Sequence, residues 1–568
     1  MLISQDRPHG RCGRAPPCGS IFSVPHTPNL QLPARVQTVS PGGAPPAGAP
    51  PAETAHAQDG RTPPADTPRT RAPRLAIAAV AVGAFAVEMA VSARYGYHRD
   101  ELYFLQAGQH PSFGYVDQPP LTPLTARLAS EIFGGSLAGL RLFPALLLAV
   151  LTVLTAAMSR IAGAGRTGQV LAALATATCG EYLAAMHLVT TTTLDFAFWS
   201  LMLLFVMRLI SSQNPRWWIA VGACVGAASE AKWTVGMLAA AVIAGFLLTP
   251  ARSLLRSRFL LVGALIAAAA AAPDVIWQAM HGWPNLAVFQ VLSQQAGHNR
   301  AVYWPAQILY TGFVLTPVWI AGLAWCLRSR AGQRFQPLGI AAALALFAFF
   351  VLGGKPYYAG GVYTFLFAAG SVPLEQWLSR GREAAAGRDV VRLAGGTAAL
   401  VTGLALCTAV ALLVALPMLP ARALHSVPLQ KINYDLGETI AWPRLVALVA
   451  REYRALPPDQ RAAATILAGN YGEAGAIARY GPADGLPAVY SGANNFWYWG
   501  PPPARARSAI AVNIDPALLR RLFSSVRQIT VFHNGIGVAD DEQGVPVYVV
   551  TGLKTSWARA WPLLRDFS

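Results

Sequence analysis

Charged side chains are scarce in this sequence. Only 12% of the 568 residues are Asp, Glu, Lys or Arg, whereas soluble domains carry roughly 25%. Hydrophobic residues make up 54% of the chain, and the mean hydropathy is +0.40. This composition excludes an ordinary soluble protein and predicts an integral membrane protein.

Cysteine and acidic residues are also few. None of the six cysteines lies after Cys407 and no cysteine cluster has zinc-site spacing, so the sequence predicts neither a disulfide framework for the C-terminal part nor a zinc centre. The 27 acidic residues are outnumbered by 44 basic ones, which gives a net charge of +17. The basic residues form short clusters between apolar runs instead of one aromatic-interleaved patch, so no nucleic-acid partner is expected.

Long apolar runs begin at Leu75, and one membrane-crossing helix takes about 20 such residues. They predict a polytopic α-helical membrane protein with about 11 transmembrane helices. Residues 1–74 are rich in proline and glycine, so we expect a disordered cytoplasmic tail there. The predicted spans are 75–93, 140–159, 168–187, 191–210, 216–229, 233–249, 258–279, 305–327, 337–353, 357–377 and 393–416.

Lysine and arginine are unevenly distributed among the loops between these spans. With the N-terminus in the cytoplasm, every inner loop holds at least two basic residues, such as Arg252 and Arg256, whereas most outer loops hold one or none. Cytoplasmic loops are enriched in basic residues. The pattern therefore predicts a multi-pass protein of the cytoplasmic membrane with residues 417–568 on the outer side.

Residues 417–568 differ in character from the preceding spans. Their alternation of β-rich and helix-like stretches predicts an extracytoplasmic α/β domain that follows a transmembrane domain over 75–416. The β-rich runs are 464–467, 508–514, 528–532 and 545–550, and the helix-like stretches are 443–456, 473–480 and 516–526.

Two adjacent acids, Asp100 and Glu101, follow the first span on the predicted outer side. Carboxylates near the bilayer are unfavourable to keep there, which favours a chemical role over packing. A carboxylate in a partly apolar setting could accept a proton from a substrate hydroxyl. The alternative is a solvated acid paired with Arg94 or Arg99.

The loop that carries these acids also predicts two helices in the membrane interface. The first covers 102–108, with Tyr103 as an aromatic anchor. Pro119-Pro120 ends any helix there and turns the chain into the second, over 121–133.

Other polar residues collect at the outer ends of the spans. Asp195 lies about one turn into the fourth span, Lys232 lies in a turn between two short spans, and Lys355 lies in a Gly-Gly-Lys-Pro turn. Lysines at glycine-flanked turns suit a phosphate, because a point charge and exposed backbone N–H groups act together. In the alternative interpretation the lysines reach lipid headgroups and Asp195 bonds a neighbouring threonine.

Two further features are open to more than one interpretation. Histidines 98, 110, 281 and 298 fall on the outer side but lack metal-site spacing, so no cofactor is expected to be required and a divalent metal stays open without support. The aromatic and amide-rich run 491–502 suits sugar rings, since aromatic faces give apolar platforms and amides bond hydroxyls. An edge of an aromatic core explains that run equally well.

Several of these motifs carry a resemblance to a known group of enzymes. They are His98-Arg-Asp-Glu-Leu-Tyr, Gly114-Tyr-Val-Asp-Gln-Pro-Pro-Leu, residues 190–195, Lys232 and Gly354-Lys-Pro-Tyr-Tyr. Together they resemble glycosyltransferase family 39 and the aminoarabinose-transferase-like membrane proteins, which are related to protein O-mannosyltransferases. The likeness covers 75–416, while 470–475 and 494–502 resemble the outer domain of the actinobacterial branch.

The resemblance implies a GT-C fold and a transfer, with inversion, of a sugar from a polyprenyl-phosphate carrier. The acceptor would be a hydroxyl or amine on a glycan, lipid or protein. By this resemblance Asp100 is the catalytic base, and Glu101 and Asp195 shape the pocket. The candidates for holding the donor phosphate are Lys232, Lys355 and Arg99. The candidates for the substrate pocket are His98, Tyr103, Asp117, Gln118, Tyr357 and Tyr358.

The main alternative is a transporter or flippase for lipid-linked or small polar solutes. Transporters tend to place charges near the middle of the bilayer and often have two related halves. In this sequence the charges collect at one face and no second half mirrors the first. The sequence therefore favours the enzyme.

Overall fold

The computed structural model describes residues 68–385 and 390–567. The predicted tail over 1–74 lies almost entirely outside these residues. From Thr70 onward, the described residues belong to one compact unit.

The part of the chain that was predicted to cross the membrane is helical. The helix of the predicted first span begins at Pro68, before the expected start at Leu75. Both predicted interfacial helices are present, as Arg99–Gln109 and Leu121–Phe133. The remaining helices are Leu137–Ala162, Arg166–Thr178, Gly180–Ala185, Thr191–Ser212, Trp217–Ser229, Val235–Leu247, Arg258–Met280, Pro284–Gln294, Ala296–Thr311, Thr316–Arg328, Gln336–Leu352, Tyr363–Ala385 and Val390–Ala415.

Several of these helices can cross a bilayer by their length and composition. Within the described ranges there are six such helices, or up to seven if a bent pair is counted as one span. Two further apolar helices, Trp217–Ser229 and Val235–Leu247, are shorter. The chain is a multi-pass helical membrane protein, as predicted, while the number of about 11 spans stays a prediction.

Two predicted spans are interrupted. The prediction of a continuous span over 305–327 is wrong, because the helix pair at this place bends by 104°. Gly312 ends the first helix with a φ of +84°, a conformation that glycine adopts easily. The predicted span 168–187 is broken by the extended backbone of Cys179. Apolar composition gave no signal for either break.

Glycines let neighbouring spans approach closely. Gly222 of helix Trp217–Ser229 faces Gly263 of helix Arg258–Met280, and a Cβ at Gly222 would lie 2.1 Å from the Gly263 carbonyl oxygen. Gly226 meets the same helix one turn further on, at Ala267 and Ala270. Spans without large side chains at their contact gain dispersion energy from this backbone approach.

The C-terminal part contains a five-stranded mixed sheet in the order β2-β1-β3-β5-β4. The strands β1 to β5 are Ala464–Ala468, Val489–Ser491, Ser508–Val512, Phe523–Val531 and Pro546–Leu553. β1 pairs in parallel with β2 and β3, whereas β5 is antiparallel to β3 and β4. The helices of this part are Trp442–Arg454, Pro458–Ala462, Tyr471–Tyr480, Asn494–Tyr498, Pro516–Leu522 and Trp557–Ala560.

The predicted α/β architecture is confirmed, with two differences in detail. The short strand β2 was not predicted, because its three residues lie in a stretch whose composition is typical of turns. The predicted helix over 516–526 ends at Leu522, since the chain enters β4 at Phe523. Phe523 is buried while Ser524 and Ser525 are exposed, so its side chain is drawn into the sheet core.

The C-terminal part packs directly on the loop between the first two predicted spans, residues 94–139. Helix Tyr471–Tyr480 begins with a capping box in which Asn470 accepts a hydrogen bond from the Glu473 N–H. A Cβ at Gly472 or Gly475 would lie 2.9 Å from side-chain atoms of helix Arg99–Gln109. The two helices can therefore approach through their backbones, which places Tyr471 beside the acidic pair.

Candidate active site

A cavity of about 550 Å³, including its opening to solvent, lies where the loop between the first two predicted spans, the adjacent ends of other spans and the C-terminal part meet. It lies at the predicted outer mouth of the helical bundle, which is where the sequence placed the chemistry. The side chains that matter below are Asp100, Glu181, Thr192, Tyr357 and Asp435.

Asp100 lies in the first turn of helix Arg99–Gln109, with its side chain about one third exposed in the cavity. Its backbone N–H donates to His98 Nδ1 over 3.2 Å, so the helix start is fixed. Asp100 Oδ1 accepts a hydrogen bond of 3.0 Å from the hydroxyl of Tyr471. The carboxylate is thus positioned by one partner and still accessible to a substrate.

Glu101 points the other way and is fully buried against Arg141. The guanidinium donates to both carboxylate oxygens, over 3.0 Å and 2.8 Å. The backbone N–H groups of His98 and Val189 donate to the same carboxylate. Both oxygens of Glu101 are therefore occupied, which favours a positioning role over contact with a substrate.

Arg141 extends this network into the bundle. Its guanidinium also donates to the carbonyl oxygens of Ser92 and Gly96, both over 2.8 Å. His187 lies 3.4 Å from Arg141 Nη1 and 3.0 Å from Glu88 Oε2. The loop that carries Asp100 is in this way tied to two spans by buried polar contacts.

Lys232 is surrounded by groups from two other segments. Its ammonium donates to Thr192 Oγ1 over 3.0 Å. It also lies 4.4 Å from the ring centre of Tyr358 and 5.3 Å from that of Tyr357. Burial lowers the pKa of Lys232 to about 8, and the nearby Asp195 carboxylate opposes that shift. The sequence motifs that contain these residues therefore converge in space.

Asp195 is fully buried beside Lys232. Its Oδ2 accepts a hydrogen bond of 2.8 Å from Thr234 Oγ1. A neighbouring threonine was the partner expected in the alternative interpretation of this residue, although Thr234 belongs to a different helix from Asp195. Asp195 also interacts electrostatically with Lys232, so it is a candidate counter-charge for the lysine.

Lys355 brings a second positive charge to the acids. It precedes the short 3-10 helix Pro356–Val362 and interacts electrostatically with Asp100 and Asp435. Burial lowers the pKa of Lys355, and these two carboxylates oppose the shift. Lys232 and Lys355 also act on each other, so both cations lie in one electrostatic neighbourhood.

Arg99 faces the C-terminal part instead of the lysines. Its guanidinium pairs with Glu438 over 3.2 Å and also contacts Asp541. It lies 5.5 Å from the ring centre of Tyr471. These partners favour a docking role between loop and C-terminal part over a contact with phosphate.

Tyr103 and Asp117 form a second polar contact in the first loop. The Tyr103 hydroxyl donates to Asp117 Oδ1 over 2.9 Å. Burial raises the pKa of Asp117 to about 7, against the effect of this hydrogen bond. Asn495 accepts a hydrogen bond of 2.6 Å from the Val116 N–H. Gln118 is buried in the same loop, outside the set of side chains that line the cavity.

Part of the aromatic run 491–502 packs inside the C-terminal part. Asn494, Asn495 and Phe496 are buried, and Asn495 holds the first loop. This favours the interpretation as a core edge for the first half of the run. Trp499 stacks on His110 with ring centres 4.4 Å apart.

Four residues near the site were not among the sequence candidates. Arg141 carries a signal, since it is an arginine on the predicted outer side, where basic residues are few. Tyr471 lies in a motif whose role in docking could not be read from one sequence. Asp435 lies in a short 3-10 helix without any distinctive pattern, and Glu181 looked like one more polar residue at a span end.

No group of three or more His, Cys, Asp or Glu side chains within the described ranges has the arrangement of a metal site. His281 stacks on Trp277, with ring centres 4.1 Å apart. Whether a cofactor is needed stays a prediction from the sequence.

With this geometry established, comparison with known proteins adds a match to a family model over part of the chain. Residues 117–277 match the family model of dolichyl-phosphate-mannose-protein mannosyltransferases. The predicted resemblance to enzymes related to protein O-mannosyltransferases is confirmed over this segment. The segment includes Asp117, Asp195 and Lys232 and begins after Asp100. The actinobacterial branch stays a prediction, and no curated protein sequence matches the chain.

Among solved structures, the chain is similar to ArnT from Cupriavidus metallidurans bound to undecaprenyl phosphate. The identity is 16%, the TM-score is 0.49, and the match covers 84% of this chain and 97% of that one. It is also similar to the oligosaccharyltransferase AglB from Archaeoglobus fulgidus in complex with an inhibitory peptide and a dolichol-phosphate. There the identity is 13%, the TM-score is 0.41, and the match covers 69% of this chain and 59% of that one.

Proposed function

We propose that this chain is a membrane glycosyltransferase that moves a sugar from a polyprenyl-phosphate carrier to an acceptor hydroxyl or amine. The transfer takes place at the outer face of the cytoplasmic membrane. One observation carries the proposal: the accessible carboxylate of Asp100 lines a cavity together with Tyr357 and Thr192, and these two side chains lie against the ammonium of Lys232. Lys355 interacts electrostatically with Asp100.

Asp100 acts as the general base in this reaction. The acceptor oxygen attacks the anomeric carbon, the bond from that carbon to the phosphate oxygen breaks, and the acceptor proton moves to Asp100. Attack from the side opposite the phosphate inverts the anomeric configuration. The hydrogen bond from Tyr471 fixes the orientation of the base.

The leaving group is a phosphate that is already charged, so its departure needs cations more than a proton donor. Lys232 and Lys355 stabilise this charge, and the rings of Tyr357 and Tyr358 restrict the position of Lys232. Asp195 keeps Lys232 in place before the donor arrives. The isoprenoid chain would lie against the apolar spans below. The match of residues 117–277 to a mannosyltransferase family supports this type of donor.

The proposal includes the organisation predicted from the sequence. Residues 1–74 form a cytoplasmic tail, 75–416 form the catalytic transmembrane domain, and 417–568 form an extracytoplasmic domain that completes the cavity. Partners are a lipid-linked sugar, membrane lipid and a glycan, lipid or protein acceptor. No cofactor is required. His98 lines the cavity, whereas Tyr103 and Asp117 lie outside its lining and position the loop that carries Asp100.

The decisive experiment measures transfer of radiolabelled sugar from polyprenyl-phosphate donors to envelope acceptors by the purified full-length chain. Asp100→Asn is expected to remove the activity while thermal unfolding stays unchanged. Asp459→Asn, at an exposed carboxylate of the C-terminal part, is the matched control and keeps full activity. Full transfer by a well-folded Asp100→Asn protein would remove Asp100 from the mechanism.

A second measurement separates donor binding from chemistry. Lys232→Ala and Lys355→Ala are each expected to weaken binding of polyprenyl phosphate by about 10-fold, as for a lost charge-assisted contact. Lys431→Ala, at an exposed position, is the control. Unchanged affinity in both variants would contradict the phosphate assignment. Movement of the lipid-linked sugar across vesicles without transfer would favour a flippase instead.

A further inference from the structure

Glu181 is a buried acid that lines the same cavity and has no role in the reaction described above. Glu181 lies at the start of the short helix Gly180–Ala185 and is 1% exposed. Across the described part of the chain, neither of its carboxyl oxygens has a hydrogen-bond partner. Asp100, in contrast, is about one third exposed. The two acids therefore mark a buried and an accessible region of one cavity.

Close packing holds the carboxyl of Glu181 where it is. The backbone of Gly360 passes so near that a Cβ at this position would lie 2.1 Å from Glu181 Oε1 and 2.5 Å from the Phe196 ring. The next residue in sequence, Tyr182, donates from its hydroxyl to the Gly360 carbonyl oxygen over 2.9 Å. The acid side chain cannot withdraw toward these neighbours without displacing backbone.

A buried acid without partners is unfavourable, because its hydrogen bonds to water are lost without replacement. Natural structures leave few such groups, and each one that persists calls for an explanation, such as a functional role or a bound water or ion. The phosphate of the donor is assigned to Lys232 and Lys355, because cations stabilise its charge. Lys232, which lies beside Thr192 and Tyr357, marks the phosphate end of the proposed donor site. What remains for Glu181 is the uncharged, hydroxyl-bearing part of the donor.

We propose that Glu181 binds a ring hydroxyl of the donor sugar and thereby selects which lipid-linked sugar is used. This inference rests on the proposed function and extends it to sugar specificity. A carboxyl group accepts a hydrogen bond from a hydroxyl when ionised and donates one when protonated, so it matches a neutral sugar in either state. A site built to bond a hydroxyl discriminates strongly against the analogue that lacks it, because its own polar group is then left unpaired.

A structural role for Glu181 is the competing interpretation. The Tyr303 hydroxyl is also buried without a hydrogen-bond partner among the described residues and interacts electrostatically with Glu181. A small movement would let a protonated Glu181 bond Tyr303. In that case Glu181 would contribute to stability, and its replacement would not change the choice of sugar.

The test uses binding to the full-length protein in detergent, in an Asp100→Asn background that prevents turnover. The probes are short-chain polyprenyl phosphate, its mannosyl and glucosyl derivatives, and the monodeoxy analogues of each sugar. We expect the protein that retains Glu181 to bind one monodeoxy analogue roughly 10- to 100-fold more weakly than the parent sugar derivative. Glu181→Leu is expected to bind that analogue and its parent equally. Both proteins should bind the sugar-free phosphate alike.

Folding is controlled with two further variants. Glu181→Gln keeps the shape and polarity of the side chain and is expected to retain part of the discrimination. Glu131→Leu replaces an exposed acid and should leave the discrimination between sugar derivatives unchanged. Because Glu181→Leu removes an unpartnered buried carboxyl, its melting temperature should not fall. A lowered melting temperature with unchanged discrimination would show the structural role and overturn the inference.

The outcomes also separate this inference from the proposed function. Discrimination that depends on Glu181, with no transfer by the unmodified chain, would keep the sugar site and reject the transferase. Transfer that depends on Asp100, with the same preference among deoxy donors in Glu181→Leu, would keep the transferase and reject the sugar site. If no sugar-bearing probe binds more tightly than sugar-free polyprenyl phosphate, the inference fails as well.

Discussion

The hydroxyl of Tyr471 donates a hydrogen bond of 3.0 Å to Asp100 Oδ1, across 371 positions of sequence. One residue belongs to the C-terminal part and the other to the first outer loop. The glycine contacts between helices Tyr471–Tyr480 and Arg99–Gln109 bring them together. The C-terminal part is therefore a component of the site and not merely attached to it.

Replacement of Tyr471 by phenylalanine tests this relationship. A hydrogen bond to a charged group contributes about 1.5 kcal/mol, so we expect Tyr471→Phe to lower kcat about 10-fold with little effect on folding. Tyr453→Phe removes a comparable hydroxyl, which donates to the Arg461 carbonyl oxygen far from the cavity, and should leave kcat unchanged. Equal kcat values in both variants would show that the contact does not orient the base.

Two arginine–glutamate pairs offer a matched comparison of burial. Glu101→Gln leaves the buried Arg141 without its counter-charge, which costs about 3–5 kcal/mol for a pair of this kind. Arg127 and Glu131 form an exposed pair on helix Leu121–Phe133, where Glu131→Gln should change stability by about 0–1 kcal/mol. Thermal unfolding in detergent measures both. Similar losses would mean that the Arg141 network is not a structural anchor.

The stability of the first loop should depend on pH through Asp117. Burial raises its pKa from 3.8 to about 7 in the folded chain. As pH rises between these two values, the unfolded carboxyl loses its proton while the folded one keeps it, so stability falls and then levels off above pH 7. Asp117→Asn removes this effect. Its gain in melting temperature should therefore be larger at pH 8 than at pH 5, and an equal gain at both would contradict the assignment.

A glycine at a span contact and a glycine in open space predict different effects of alanine on stability. Gly222→Ala places a methyl group against the Gly263 backbone, and overpacking of this kind costs about 1–3 kcal/mol. Gly236 has open space around its Cα, so Gly236→Ala should be neutral or stabilising by about 0.5–1 kcal/mol. The measurement is the melting temperature of each purified variant. A stable Gly222→Ala protein would show that these helices separate easily.

The membrane orientation can be tested with two isosteric substitutions in a cysteine-free background. Ser253 lies in a predicted cytoplasmic loop and Ser293 in a predicted outer one, and both are exposed. An impermeant maleimide should label Ser293→Cys in intact cells and Ser253→Cys only after lysis. The opposite result would reverse the predicted orientation and place Asp100 in the cytoplasm.

Local patterns in the sequence were sufficient to place most helices and the motifs that converge. Pro119-Pro120 predicts the start of helix Leu121–Phe133, and counting spans predicts that Asp195, Lys232 and Lys355 lie at one end of the bundle. The bend at Gly312 was not predictable, because the mean hydropathy of a segment contains no information on the direction of its helix axis. Long hydrophobic runs thus predict that a segment is helical more reliably than that it is straight.

The different roles of Asp100 and Glu101 could be assigned only from the tertiary structure. Adjacent positions on a helix point in different directions, which the sequence predicted, but only the location of Arg141 shows which acid is neutralised. Asp435 and Tyr471 are far from the first loop in sequence, and a single sequence gives no information on such pairings. Local patterns therefore could not predict the residue roles that depend on partners far away in the sequence.

The dependence of the base on Tyr471 has a consequence for biogenesis. The ribosome completes the spans that carry the lysines long before residue 471 is synthesised. In the proposed topology the C-terminal part must then cross the bilayer and fold on the loop that carries Asp100. A newly inserted chain would hold its lipid substrate without being able to use it until that last step. Catalysis would thus begin only after export of the C-terminal part, which guards the cell against sugar transfer by half-assembled molecules.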